Sequence, residues 1–134
     1  MEESRELDYA QLMLGRLQKS KLNGNVLRRE LDRIVALILE RSTPKVVILF
    51  GSAVTDSLTE DSDIDLALIF ATDEAAEMAR AEILSKGPLS DWPVDLLLVG
   101  EETFRAKCQL GGVYSIIKEK GKVLHPAQYP LETI

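Results

Sequence analysis

Three aspartates stand in stretches of sequence that otherwise read as buried strand. Asp63 and Asp65 bracket Ile64 at the head of the run Ile64 to Phe70, and Asp95 is the second residue of Val94 to Val99. Side chains alternate along a strand, so Asp63 and Asp65 point to one face while Ile64 and Leu66 point to the other. Asp95 alternates with Val94 and Leu96 in the same way. Paired strands lie about 4.8 Å apart, so two such strands side by side would gather all three carboxylates, each raising the pKa of the others. A divalent cation removes that conflict, and hard oxygen donors suit Mg²⁺ or Mn²⁺ rather than zinc. Gly51-Ser52 directly follows another apolar run, Val46 to Phe50. A strand-to-helix turn with glycine lets backbone N–H groups and a hydroxyl approach an anion. A single Gly-Ser pair is usually an ordinary turn, and a lone aspartate beside a strand is usually solvated. Their combination is what carries weight.

The elements that must hold these residues follow from hydrophobic period. Leu7, Ala10, Leu14 and Leu17 mark an amphipathic helix from Glu2 to about Ser20. Asn23-Gly24-Asn25 breaks it, with Asn25 as the expected cap of a second helix whose stripe is Leu27, Leu31, Ile34, Val35 and Ile38. That helix ends near Arg41, before Thr43-Pro44. Val46–Phe50, Ile64–Phe70 and Val94–Val99 are short, bounded by turn residues and rich in branched side chains, which predicts buried strands. Asp73 is the expected cap of a helix running to about Lys86, stopped by Gly87-Pro88. Further helices are predicted from Glu101 to Gln109 and from Val113 to Lys120, then a short strand at Lys122-Val123-Leu124. The tail after His125, with two prolines, reads as loosely held.

Leu49-Phe50-Gly51-Ser52, ten intervening residues, then Asp63-Ile64-Asp65-Leu66 resembles the G-S-x10-D-x-D signature of the minimal nucleotidyltransferases, within the DNA polymerase β nucleotidyltransferase superfamily. Asp95 falls where that family carries its third carboxylate, and Gly112 to Leu124 is similar to its closing helix and strand. The resemblance runs from about Val26 to Leu124. It implies an α/β fold, a small mixed β-sheet flanked by helices, here with an extra N-terminal helix. The corresponding organisation is residues 1–24 as the added helix, 25–125 as the nucleotidyltransferase domain and 126–134 as a tail. Gly51 and Ser52 would hold the phosphates of a nucleoside triphosphate. Asp63, Asp65 and Asp95 would be both metal ligands and catalytic groups, with Mg²⁺ or Mn²⁺ as cofactor and ATP as donor of AMP to an acceptor hydroxyl. The resemblance is closest to the antitoxin half of HEPN/MNT modules, whose helical partner is a toxin that the small protein can AMPylate. Two other readings remain open: a non-catalytic antitoxin or binding module acting by occlusion, and a small-molecule nucleotidyltransferase completed by a homo-oligomer. Family members often carry G-S-R-x-R-G, whereas this chain has Ala53, Val54, Thr55 and Asp56. Two expected phosphate-facing cations are therefore absent, and Lys45, Lys86 or a partner would have to replace them.

Composition sets the outer limits. The chain has 134 residues, 46% hydrophobic and 28% charged, which points to one folded domain rather than disorder. Its formal charge of −6 argues against bulk nucleic-acid binding, though not against a nucleotide site. A single cysteine, Cys108, excludes an internal disulfide. No apolar run is long enough for a membrane span, and the acidic first residues do not suit a signal peptide, so a cytoplasmic location is expected. His125 reads as a surface residue, Cys108 as a small buried group, Trp92 as packing for the loop into the third strand, and Tyr114 as core.

Overall fold

Two runs of apolar, mostly branched side chains form the centre of the sheet. In the computed structural model, which describes residues 24–51, 54 and 63–131, β1 (Val46–Phe50) and β2 (Ile64–Phe70) are buried along nearly their whole length. Strands covered on both faces need such continuous apolar runs. β3 (Val94–Gly100) and β4 (Lys122–His125) complete a four-stranded sheet in the order β3-β2-β1-β4. β1 is antiparallel to β2 and to β4, while β2 and β3 are parallel. The expected mixed sheet is thus present. The helix expected over residues 2–20, together with Ser52, Ala53, Thr55 and Asp56, lies outside the described residues.

Among the described residues, four helices cover the sheet: α1 (Gly24–Arg41), α2 (Asp73–Ser85), α3 (Glu101–Cys108) and α4 (Gly112–Lys120). The alternation of strand side chains sorts the core into two layers. Val47, Leu49, Ile64, Leu66 and Leu68 pack with Leu31, Ile34 and Ile38 of α1 and Ala76, Ala79 and Ile83 of α2. Val46, Ile48, Ala67, Ile69 and Val99 pack with Phe104 of α3 and Ile117 of α4. Trp92 is buried in the first layer, as its expected packing role requires. Tyr114 is half-buried beside the second, its ring meeting Phe104 edge-on at 6.0 Å. No helix among the described residues is long and apolar enough to cross a membrane.

Several local expectations change. The second helix begins at Gly24, which takes Asn25 into the first turn instead of leaving it as the cap. Asparagine and glycine are both acceptable caps, so Asn23-Gly24-Asn25 does not single one out. The cap of α2 is Thr72, whose hydroxyl accepts from the Ala75 N–H at 3.1 Å. Asp73 is thereby released for a longer reach. It accepts from the Gly100 N–H at 2.8 Å and from the Thr103 hydroxyl at 2.6 Å, joining the start of α2 to the start of α3. Arg41 closes the other end of α2, donating to the carbonyls of Ile83 and Gly87 at 3.1 and 2.7 Å, where a cation also complements the helix dipole. The tail is held as far as residue 131. Tyr129 and Leu131 join the second core layer, and the Tyr129 N–H bonds the Pro126 carbonyl at 3.1 Å. Prolines that suggested looseness here restrict the chain so that two apolar side chains can dock.

The Asp73 clasp predicts a pH-dependent contribution to stability. The Thr103 hydroxyl first, then the Gly100 N–H, holds the Asp73 carboxyl below the usual carboxylate range. A lowered folded pKa contributes stability above the unfolded value, and that stability is lost as pH falls through the folded one. Asp73→Ala is expected to lower the melting temperature by a few degrees at pH 7. In circular-dichroism melts of both proteins, the gap should close as the pH drops below the normal aspartate range.

Candidate active site

The ladder registers bring the aspartates together. Asp65 lies opposite Asp95 in the parallel β2–β3 pair, and Phe50 lies opposite Asp65 in the antiparallel β1–β2 pair. Residues opposite one another on neighbouring strands share a face. Phe50, Asp65 and Asp95 therefore form a row on the α3–α4 side of the sheet, at the end where β1 stops and β2 and β3 begin. Asp63, two residues before Asp65, shares that face by alternation. Asp63 and Asp95 are exposed and Asp65 is half-buried. Burial first, then the Asp95 charge, then that of Asp63, pushes the Asp65 carboxyl above its ordinary range. Among the described residues, no cation contributes to that balance.

Gly51 presses directly on this row. Its backbone is in the left-handed region at φ +78°, and its carbonyl accepts from the Val54 N–H at 3.2 Å. Val54 packs against the first core layer, which anchors the turn. A Cβ on Gly51 would overlap an Asp65 carboxylate oxygen and stand 3.2 Å from its Cγ. Glycine is required twice here, for the backbone angle and for the space. Ser52, the other expected phosphate-binding residue, lies outside the described residues.

The donor set suits a hard divalent cation in kind: three carboxylates, mutually repelling and, among the described residues, lacking a counter-charge. As the side chains stand, no three His, Cys, Asp or Glu residues among those described are grouped closely enough to hold a metal ion. The lysines proposed to replace the absent arginines are elsewhere. Lys45 precedes β1, at the opposite end from the aspartates, and pairs with Glu101 at 2.5 Å. Lys86 stands 3.7 Å from Glu82 at the end of α2. Lys122 opens β4 opposite Leu49, so it shares Leu49's first-layer face, across the sheet from the aspartates. Cys108 is half-buried, with its Sγ donating to the Tyr114 carbonyl at 3.4 Å, and burial raises its pKa. His125 is half-buried within β4 rather than free on the surface. Arg80 carried no signal in the sequence, because single charges on a helix face are common. It lines a cavity that also touches Asp95.

The sequence pattern of a family described as "Nucleotidyltransferase domain" matches residues 31–124. No curated protein matches at a significant level. Among solved structures, the chain is similar to a crystal structure from Sulfolobus solfataricus described as a proposed nucleotidyltransferase. That similarity has a TM-score of 0.43 and 18% identity over 64% of this chain and 83% of the other.

Two substitutions test the electrostatics and the packing. Asp65→Asn removes a charge that folding disfavours. A raised folded pKa means that the folded protein binds more protons, so stability falls as pH rises from the unfolded value through the folded one. Without added metal, the variant is expected to melt a few degrees higher than wild type at pH 7, with the gain fading towards pH 4. Gly51→Ala forces alanine into a backbone region costing about 1–2 kcal/mol and displaces the Asp65 carboxylate. Calorimetric titration with Mn²⁺ should show binding weakened by about tenfold or more.

Proposed function

The chain belongs to the nucleotidyltransferase domain family, and on that premise we propose that it transfers a nucleoside monophosphate, AMP from ATP in the simplest case, to an acceptor hydroxyl. The observation that carries this reading is Asp65 set beside Asp95 with Gly51 packed on its carboxylate. Asp63, Asp65 and Asp95 are the residues that would hold Mg²⁺ or Mn²⁺. Bound there, the ions supply positive charge against the attacking and leaving oxygens of an in-line displacement. The chain's own work is positioning and proton transfer. Gly51, at the turn that follows β1, would present its backbone to the phosphates. Asp95 accepts the proton of the acceptor hydroxyl as its oxygen bonds to the α-phosphorus, and the bond to the bridging oxygen breaks to release pyrophosphate.

A finer form of the reading places the acceptor hydroxyl on a HEPN-type helical partner and makes the chain an antitoxin. Its support is the resemblance of Gly51-Ser52 and Asp63-Ile64-Asp65 to the minimal nucleotidyltransferases. The absence of arginine at positions 53 and 55 favours a second reading, a binding module that retains the fold and acts by occlusion.

Asp63→Asn is expected to keep the fold, seen as an unchanged circular-dichroism spectrum, while lowering transfer by at least about a hundredfold, or roughly 3 kcal/mol in the barrier. ATP with Mg²⁺ should bind with a dissociation constant on the order of tens to hundreds of micromolar, roughly −5 to −6 kcal/mol. Arginine introduced by Ala53→Arg or Thr55→Arg should tighten it. A folded sample that binds no ATP at millimolar concentration would move the balance to occlusion.

A further inference from the structure

β3 is an edge strand, since no described strand pairs with its outer side. Along that edge runs a cavity of about 340 Å³, near the lower limit of small-molecule sites. Its walls include Val94 and Leu96 of β3, the loop residue Trp92, and Arg80 and Leu84 of α2, with Asp95 also in the lining. Val94 and Leu96 point to the first core layer and Asp95 to the opposite face. The cavity therefore lies on the first-layer side and meets Asp95 at the strand edge.

Two features set this lining apart from ordinary surface. Leu84 is 63% exposed although its chain neighbour Ile83 is fully buried, so an apolar wall faces solvent. Arg80, half-buried, makes no hydrogen bond or ion pair with any described residue, whereas Arg33, Arg41 and Arg105 are all engaged. Arg28 and Arg29 are likewise unpaired among the described residues, but they stand exposed. A guanidinium held beside apolar walls without a carboxylate is suited to the planar oxygens of an anion.

We infer that this groove is the acceptor site, taking a small hydroxyl-bearing organic anion whose carboxylate or phosphate pairs with Arg80 and whose apolar body lies against Trp92, Leu84 and Leu96. The inference rests on the nucleotidyl-transfer reading and specifies its acceptor. So seated, the acceptor brings its hydroxyl to Asp95 at the rim. Charge explains why an arginine is needed. The chain carries a formal −6, and three aspartates crowd the site, so an anionic acceptor would be repelled without a local cation. The cavity's size excludes a bulky folded partner from its interior and suits one small molecule.

The test uses the full chain with two probes that share a phenol: 4-hydroxyphenylacetate, which is anionic, and tyrosol, its uncharged counterpart. Trp92 is the only tryptophan, so its indole N–H signal in a ¹⁵N-labelled sample reports on the groove without assignment. The anion is expected to shift that signal and to bind about tenfold more tightly than tyrosol, as a charge-assisted pair would give. Arg80→Gln should erase the difference. Asp63→Asn should leave it intact while abolishing pyrophosphate release from ATP and Mg²⁺, which separates the groove from the transfer reading. In wild type, millimolar 4-hydroxyphenylacetate should stimulate pyrophosphate release, and in Arg80→Gln it should not. Equal binding of the two probes, or a difference that survives Arg80→Gln, overturns the anion site. Binding that behaves as expected without stimulated pyrophosphate release in wild type, or with stimulation retained in Arg80→Gln, overturns the acceptor role.

Discussion

Two like charges held in register on neighbouring parallel strands are the constraint around which this domain is arranged. Asp65 and Asp95 are opposite one another, and nothing local favours that meeting. It is enforced by the core. Ile64, Leu66 and Leu68 of β2 must enter the first layer alongside Leu98 of β3, with Val94 and Leu96 packed against it, and a one-residue slip would send every one of these side chains to the wrong face. The apolar alternation that builds the core thus also fixes the carboxylates side by side. Burial of the Asp65 carboxyl, and after it repulsion from Asp95 and Asp63, is the cost, and both push its pKa up. A local conflict of this kind, held in place by a consistent surrounding fold, is where function is expected to lie.

The open end of the sheet follows from the lengths of its covers. α3 and α4 are short, spanning Glu101–Cys108 and Gly112–Lys120. They bury Ala67, Ile69 and Val99 and leave Asp63 and Asp95 to solvent. β1 reaches the same end and must turn away without filling it. Gly51 does this in a left-handed turn pressed against Asp65, while Val54 returns to the first core layer. Strand order then decides what else is accessible. With β3 at the edge, the groove beside Asp95 opens on the side away from β1 and Gly51, so a donor at Gly51 and an acceptor at Arg80 would approach the aspartates from opposite directions.

Much of this was legible in the sequence, for identifiable reasons. Continuous branched runs marked β1, β2 and β3, and the period of two placed Asp63 and Asp65 on one face opposite Ile64. What local pattern could not carry was anything set by distant partners. Asp73 looked like a helix cap because caps are local; its actual partners, Gly100 and Thr103, arrive only once β3 and α3 are in place. Lys45 is close to Gly51 in sequence yet at the far end of β1, where Glu101 holds it. Leu131 looked like tail and packs into the second layer. Arg80 differs from any other helical charge only through the cavity beside it.

The balance of charge links these observations. A triphosphate is itself strongly anionic, and the site it would enter presents three carboxylates with no cation from the described residues in the balance at Asp65. Free triphosphate and empty carboxylates therefore repel, and positive charge has to be imported before either can settle. In a protein with arginines after the Gly-Ser turn, part of that charge is built in. Here residues 53 and 55 are alanine and threonine, and Lys45 is committed to Glu101. The reliance on solution cations is correspondingly greater, so on the proposed function donor binding should be more sensitive to divalent-ion concentration than in arginine-bearing relatives. Arg80 lies outside this deficit: it stands on the acceptor side of Asp95, where it can pair with an anion without competing for the phosphates.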